Sequence, residues 1–145
     1  MIKKIVVLLI LMLPVIFGAD AEEEVHALSF LEGTFRVVGS SSESWAPYGG
    51  TVRMSLEGNK LMVVRDIKGR PSKGTGELRK TRVGAGTEFV VHFVEGKTSF
   101  EAVYLIQNDY DNYPRLTGYV YRANGETRKM GYEALFPDYG QLICE

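Results

Sequence analysis

Short runs in which apolar and polar residues alternate are the main pattern of this chain after residue 21. Alternation with a period of two is typical of a β-strand that has one buried and one exposed face. No long apolar pattern at helical spacing follows residue 21. The pattern predicts six strands, over residues 31–38, 51–56, 60–67, 75–80, 87–94 and 99–107. Short segments rich in glycine, proline and asparagine separate them and predict turns, including a loop over residues 70–74.

The clearest hairpin is predicted over residues 116–135. Two runs rich in Tyr, Val, Thr and Leu flank the sequence Ala-Asn-Gly-Glu at residues 123–126. An Asn-Gly pair readily adopts the positive φ angles that a tight hairpin turn requires. This hairpin supplies strands seven and eight. Eight antiparallel strands in sequence order predict an all-β protein, an eight-stranded antiparallel up-and-down barrel, with a two-sheet β-sandwich as the alternative.

The N-terminal segment predicts a signal peptide. Lys3 and Lys4 precede an apolar run at residues 5–17. Ala19 and Ala21 provide the small residues that a signal peptidase recognises just before its cleavage site. The run is shorter than the roughly 20 residues that a membrane-spanning helix needs. We expect cleavage after Ala21, no stable membrane insertion afterwards, and a secreted or periplasmic location. An uncleaved membrane anchor is the alternative.

Composition narrows the classes of partner. Removal of residues 1–21 takes away two lysines and one aspartate and changes the formal net charge from −1 to −2, leaving a single domain over residues 22–145. Recognition of nucleic acid generally uses a basic surface, so we expect no nucleic-acid partner. Cys144 is the single cysteine, and the chain therefore forms no internal disulfide.

Candidate catalytic and metal-binding residues are sparse. His92 is the only histidine in a predicted strand, and it lies on the face opposite to Phe89, Val91 and Phe93. No Gly-x-Ser-x-Gly motif is present to activate a serine. Residues 108–112, Asn-Asp-Tyr-Asp-Asn, gather oxygen ligands but depart from the EF-hand spacing, so we expect a polar turn with a calcium site as the alternative. We predict no catalytic residue, no metal, no cofactor and no enzymatic activity.

Two charged residues interrupt otherwise apolar strands. Arg65 alternates in phase with Leu61 and Val63. If this face points into the barrel, Arg65 requires an anion, either Glu133 or a ligand, because a buried unpaired charge is very unfavourable. Tyr104 offers a rigid ring with a hydrogen-bonding hydroxyl, a combination that suits binding pockets. We predict that Arg65, Tyr104 and Glu133 line a ligand site in the barrel mouth, with a purely structural ion pair as the alternative.

The phase of the last strand decides whether Glu133 reaches the interior. Glu133 points inward only if Gly131 and Leu135 do so as well. The opposite face is also apolar, since it carries Met130, Tyr132, Ala134 and Phe136. The sequence is therefore compatible with either face of the last strand pointing inward.

The sequence Leu-Glu-Gly-Thr-Phe at residues 31–35 resembles the Leu-x-Gly-x-Trp start of lipocalin and avidin barrels, the calycin group, with Phe35 in place of Trp. Glycine-centred patterns at residues 48–52, 74–78, 116–118 and 131–135 resemble small secreted bacterial proteins of unassigned role, some of them labelled fibronectin-binding. The resemblance implies a calycin-like barrel. Trp45 is the single tryptophan, which departs from the several tryptophans of avidin-type biotin sites.

These patterns together predict a secreted, non-enzymatic binding protein that holds a small, partly apolar ligand in a β-barrel. The alternative is a protein-interaction or adhesin module of the cell envelope, with an envelope or host protein as its partner. For that alternative, the candidate partner-binding residues are Trp45 and Tyr48, which we predict in an exposed polar loop.

Overall fold

The computed structural model describes residues 19–81, 86–106, 115–124 and 129–140. One helix, α1 (Ala19–Ser29), precedes eight strands: β1 (Gly33–Ser40), β2 (Pro47–Glu57), β3 (Lys60–Ile67), β4 (Arg70–Lys80), β5 (Thr87–Glu95), β6 (Thr98–Ile106), β7 (Leu116–Arg122) and β8 (Gly131–Pro137). Each strand pairs antiparallel with the next, and β8 pairs with β1, so the sheet closes. The predicted up-and-down barrel is confirmed, and the chain does not form a two-sheet sandwich.

The turn between β3 and β4 lies earlier than the sequence predicts. Lys68 and Gly69 have φ angles of 54° and 75°, and two successive positive φ angles are typical of a two-residue hairpin turn. The predicted loop at residues 70–74 is therefore wrong, because β4 already begins at Arg70. Pro71 lies next to the start of this strand, where proline is tolerated.

Helix α1 covers one end of the barrel. It packs against β2, β3 and β4, and Leu28 is 1% exposed within the hydrophobic core. Leu31, just after the helix, is buried in the same core. We call this the closed end and the opposite end, where β1 finishes and β2 begins, the mouth. Among the residues that the structure describes, no helix is both long enough and apolar enough to cross a membrane.

The barrel interior is filled mainly by apolar side chains that alternate with outward-facing residues along the strands. Leu61 and Val63 of β3 and Leu135 of β8 are buried. Arg65 and Glu133 share their inward phase and are 2% and 3% exposed. The phase that brings Glu133 inside is therefore the one adopted, and the competing apolar face of β8 points outward.

The predicted signal peptide falls mostly outside the described residues. The structure describes the chain from Ala19, so the expected cleavage after Ala21 stays a prediction. Residues 125–126 of the predicted Asn-Gly turn also lie outside the described ranges, although β7 and β8, the strands that it joins, pair as predicted.

Candidate functional site

Five residues from five neighbouring strands form one row across the barrel interior. Glu133 of β8 lies in register with Gly39 of β1 on one side and with Gly118 of β7 on the other. Beyond these glycines, Tyr48 of β2 is the register partner of Gly39, and Tyr104 of β6 is the partner of Gly118. The row therefore reads tyrosine, glycine, glutamate, glycine, tyrosine.

Gly39 leaves room for the Tyr48 ring to reach the carboxylate, whereas a Cβ atom on Gly118 would collide with the backbone of Val103. A Cβ atom on Gly39 would lie 2.7 Å from Cζ of Tyr48, closer than side-chain carbon atoms approach one another. The Tyr48 hydroxyl donates a hydrogen bond of 2.5 Å to Oε1 of Glu133. The Tyr104 hydroxyl donates to Oε2 of the same carboxylate. Glu133 is thus held symmetrically from both sides.

Arg65 approaches the same carboxylate from β3. Its Nη1 donates to Oε2 of Glu133 at 3.1 Å, and its Nη2 forms an ion pair with Oε1. The pair is bidentate, the arrangement in which arginine and a carboxylate interact most strongly. The guanidinium carbon also lies 4.2 Å from the centre of the Phe93 ring, within range of a cation–π contact.

These contacts fix the charge state of the cluster. Burial by itself raises the pKa of Glu133, but the charge of Arg65 and the hydrogen bonds from Arg65, Tyr104 and Tyr48 outweigh burial and lower it. Burial tends to lower the pKa of Arg65, and the charge of Glu133 more than reverses this effect. Burial, and then the charge of Glu133, raise the pKa of both tyrosines. The cluster therefore holds one positive charge, one negative charge and two neutral phenols.

Two polar atoms beside the cluster are buried without a hydrogen-bond partner among the described residues: Nε of Arg65 and Oγ of Ser72. Arg65 and Ser72 are register partners on β3 and β4, and both side chains point into the barrel. A buried polar group left unsatisfied costs about 1–3 kcal/mol. Two neighbouring strands therefore each contribute one buried polar atom whose hydrogen-bonding capacity is unused.

An apolar wall and an ion pair lie between this cluster and the mouth. Phe93 stacks on Phe100, with ring centres 5.5 Å apart. Phe100 is in turn the register partner of Arg122, at the end of β7. Arg122 pairs with Glu43, which belongs to the connection between β1 and β2. The ion pair links β7 to this connection at the mouth.

The structure brings together the three residues predicted to line a ligand site. Arg65, Tyr104 and Glu133 contact one another directly. Tyr48 is not in an exposed loop as predicted: it belongs to β2, and its hydroxyl lies inside the barrel. The phase of β2 explains this, because Tyr48 alternates with the buried Val52.

Trp45 lies apart from this cluster, on the outside. It is 54% exposed, and its ring packs against Tyr132 with centres 5.5 Å apart. Trp45 and Tyr48 therefore do not form the shared loop surface that we predicted. The partner-binding role of either residue stays a prediction.

Sequence reasoning missed Ser72, Gly39 and Gly118. The signal for Ser72 is the two-residue turn at Lys68 and Gly69, which places Ser72 directly opposite Arg65. The glycines carry no such signal, because only the paired register reveals that they flank Glu133.

Among the remaining chemical candidates, the structure describes His92. His92 lies on the outer surface, with Nε2 3.4 Å from Glu77 and Nδ1 3.7 Å from Glu101. Within the described ranges, no group of three or more His, Cys, Asp or Glu side chains is arranged to hold a metal ion. Residues 108–112, where calcium was the alternative, and Cys144 fall outside those ranges.

Comparison with known proteins does not assign the chain to a family. No protein-family model matches the chain, and no curated protein matches it. The resemblance to calycin barrels and to secreted bacterial proteins therefore stays a prediction.

Proposed function

We propose that this protein is a non-enzymatic binding protein whose barrel holds a small, partly apolar molecule with an uncharged polar end. One observation carries the proposal: Arg65 and Ser72 are register partners on neighbouring strands, and Nε of Arg65 and Oγ of Ser72 are buried and without partners among the described residues. The ligand would accept a hydrogen bond from Nε and would exchange a second one with the Ser72 hydroxyl. A carbonyl, amide or hydroxyl group fits both roles.

The charges of the cluster favour a neutral ligand. Glu133 already neutralises Arg65, and the raised pKa values of Tyr48 and Tyr104 keep both phenols uncharged. An anionic ligand would add a second negative charge beside Glu133, and a cationic one would add a second positive charge beside Arg65. Either charge would be buried without a counterion, which is strongly unfavourable.

The residues around the cluster favour an apolar body for the ligand. Phe93 and Phe100 stack on the mouth side of Arg65, and Ile67 packs against the same core from β3. Small-molecule sites commonly combine such apolar walls with a few convergent polar groups. Secretion and a calycin-like ancestry, both predicted from the sequence, agree with this function.

Native mass spectrometry tests the proposal on the protein purified gently from its source cells. We expect an additional mass of a few hundred daltons, the size of a typical pocket ligand. The same mass should accompany a Ser55→Ala variant, because Ser55 is an exposed serine of β2. It should be reduced or lost in Ser72→Ala. A wild-type protein that carries no additional mass, or a Ser72→Ala variant that keeps all of it, contradicts the proposal.

A further inference from the structure

An apolar surface covers the outside of the barrel where β6, β7, β8 and β1 adjoin. It consists of side chains between 40% and 54% exposed, which we call the aromatic face: Val38, Trp45, Leu105, Tyr119, Tyr132 and Phe136. Large exposed apolar surfaces on a protein mark sites of interaction more often than scattered single residues do.

The aromatic face is continuous. Tyr119 and Tyr132 are register partners with ring centres 5.2 Å apart, and Trp45 packs on the other side of Tyr132. Val38 and Leu105 line the same surface groove as these two tyrosines. The inward residues at the floor of the groove include Gly39 and Gly118, so the tyrosine rings stand above a shallow depression.

The central outward positions of this surface carry no charge in the described part of the chain. Between Leu105 of β6 and Val38 of β1, the outward residues are Thr117 and Tyr119 on β7 and Tyr132 and Ala134 on β8. Charged residues border this centre: Glu88 is the register partner of Leu105, and Arg36 is that of Phe136. An uncharged centre can pack against the same centre of a second copy without bringing like charges together.

The area of the face fits a pair of copies. Six large side chains, each about half exposed, present roughly 600 Å² of mostly apolar surface, since a fully buried aromatic side chain covers about 150–250 Å². Two such faces together bury about 1,200 Å², the lower bound of specific, stable protein–protein interfaces. Tyrosine and tryptophan are also the residues that contribute most at the centre of such interfaces.

We propose that the aromatic face binds a second copy of this chain in a two-fold symmetric dimer. The two sheets would pack face to face, in the manner of a β-sandwich whose halves come from different molecules. Tyr119 and Tyr132 would form the centre of the interface and Trp45 part of its rim. Arg65 and Ser72 belong to β3 and β4, which are not strands of the aromatic face.

Sedimentation velocity on the protein purified from its source cells tests this proposal. We expect a dimer at micromolar concentration for the wild type. Tyr132→Glu should weaken dimerisation at least 100-fold, since two carboxylates would be buried at the centre of the interface. Val94→Glu is the matched control: Val94 is an exposed valine of β5 outside the face, and its variant should remain dimeric.

A second variant, at another edge of the aromatic face, distinguishes a loss of dimerisation from a folding defect. Leu105→Lys should also be monomeric, and circular dichroism should show that all three variants retain the wild-type strand content. A monomeric wild type, or a dimer that neither Tyr132→Glu nor Leu105→Lys weakens, would overturn the proposal. If the monomer binds a phosphatidylcholine vesicle, the aromatic face binds a lipid surface. That result would also overturn the proposal of a dimer.

Discussion

Replacement of Glu133 by leucine is expected to lower the free energy of unfolding by about 3–5 kcal/mol, because it leaves the buried charge of Arg65 without a counterion. The side chain of Arg65 is 2% exposed and that of Glu133 is fully buried, so water cannot replace the lost partner. Tyr48 and Tyr104 lose their acceptor at the same time. Urea-induced unfolding at pH 7 measures the effect.

The matched control is Glu88→Leu. Glu88 also pairs with an arginine, Arg79, but that pair is partly exposed on the outer surface. Exposed ion pairs contribute about 0–1 kcal/mol, so the control should lose little stability. Combining Arg65→Met with Glu133→Leu should recover about 1–3 kcal/mol relative to Glu133→Leu alone, since the unpaired charge is then removed. Equal losses for the two leucine variants would contradict the structure.

The difference in unfolding free energy between the wild type and Glu133→Leu depends on pH. The pKa of Glu133 in the folded protein lies below its ordinary value of 4.5. Its contribution to stability is therefore fully present above pH 4.5 and is lost as the pH falls through the lower folded-state value. The difference between the wild type and Glu133→Leu should accordingly be constant from pH 6 to pH 8 and should shrink below pH 4.5.

Replacement of Gly39 by alanine is the second large effect. The added Cβ would lie 2.6 Å from the carbonyl oxygen of Tyr132 and 2.7 Å from the ring of Tyr48, so backbone or ring must move. Overpacking of this kind costs about 1–3 kcal/mol. Gly49→Ala is the control, because a Cβ there meets its nearest neighbour, the Val37 carbonyl oxygen, at an ordinary distance of 3.6 Å.

Displacement of the Tyr48 ring is tested by combining variants. Tyr48→Phe alone removes the hydrogen bond to Glu133 and should be destabilising by about 1–2 kcal/mol. In the Gly39→Ala background the bond is already broken, so Tyr48→Phe should then have little further effect. Strict additivity of the two changes would show that the ring keeps its place and that the role assigned to Gly39 is wrong.

The barrel is predictable from this sequence because its strands carry the pattern locally. Leu61, Val63 and Arg65 alternate in one strand, and β3 has the predicted bounds. Helix α1 is less visible in the sequence, since its burial rests on a few residues near its end, chiefly Leu28. The sequence predicts too late a start for β4, because Pro71 is typical of a loop. The turn itself is formed by Lys68 and Gly69.

The candidate site is only partly predictable, because it depends on register between strands that are distant in sequence. The sequence offers either Glu133 or a ligand as the anion for Arg65. The inward phase of β8 brings Glu133 to Arg65. The sequence predicts a loop at Tyr48, because residues 47–50 contain proline and two glycines. Closure of β1 against β8 then places Gly39 between Tyr48 and Glu133, a relation that no local pattern contains.

In the proposed function, Nε of Arg65 and Oγ of Ser72 receive the uncharged polar end of a ligand. The most direct measurement follows the Nε–H resonance of Arg65 by NMR while three probes with the same six-carbon chain are added: hexanamide, hexanoate and hexylammonium. The resonance of Arg79, whose Nε donates to Glu88 on the outer surface, serves as the internal control. We expect hexanamide to shift the Arg65 resonance in the wild type but not in Ser72→Ala, and we expect neither charged probe to shift it. An Arg65 resonance that ignores hexanamide, or that responds equally to all three probes, would contradict the proposed function.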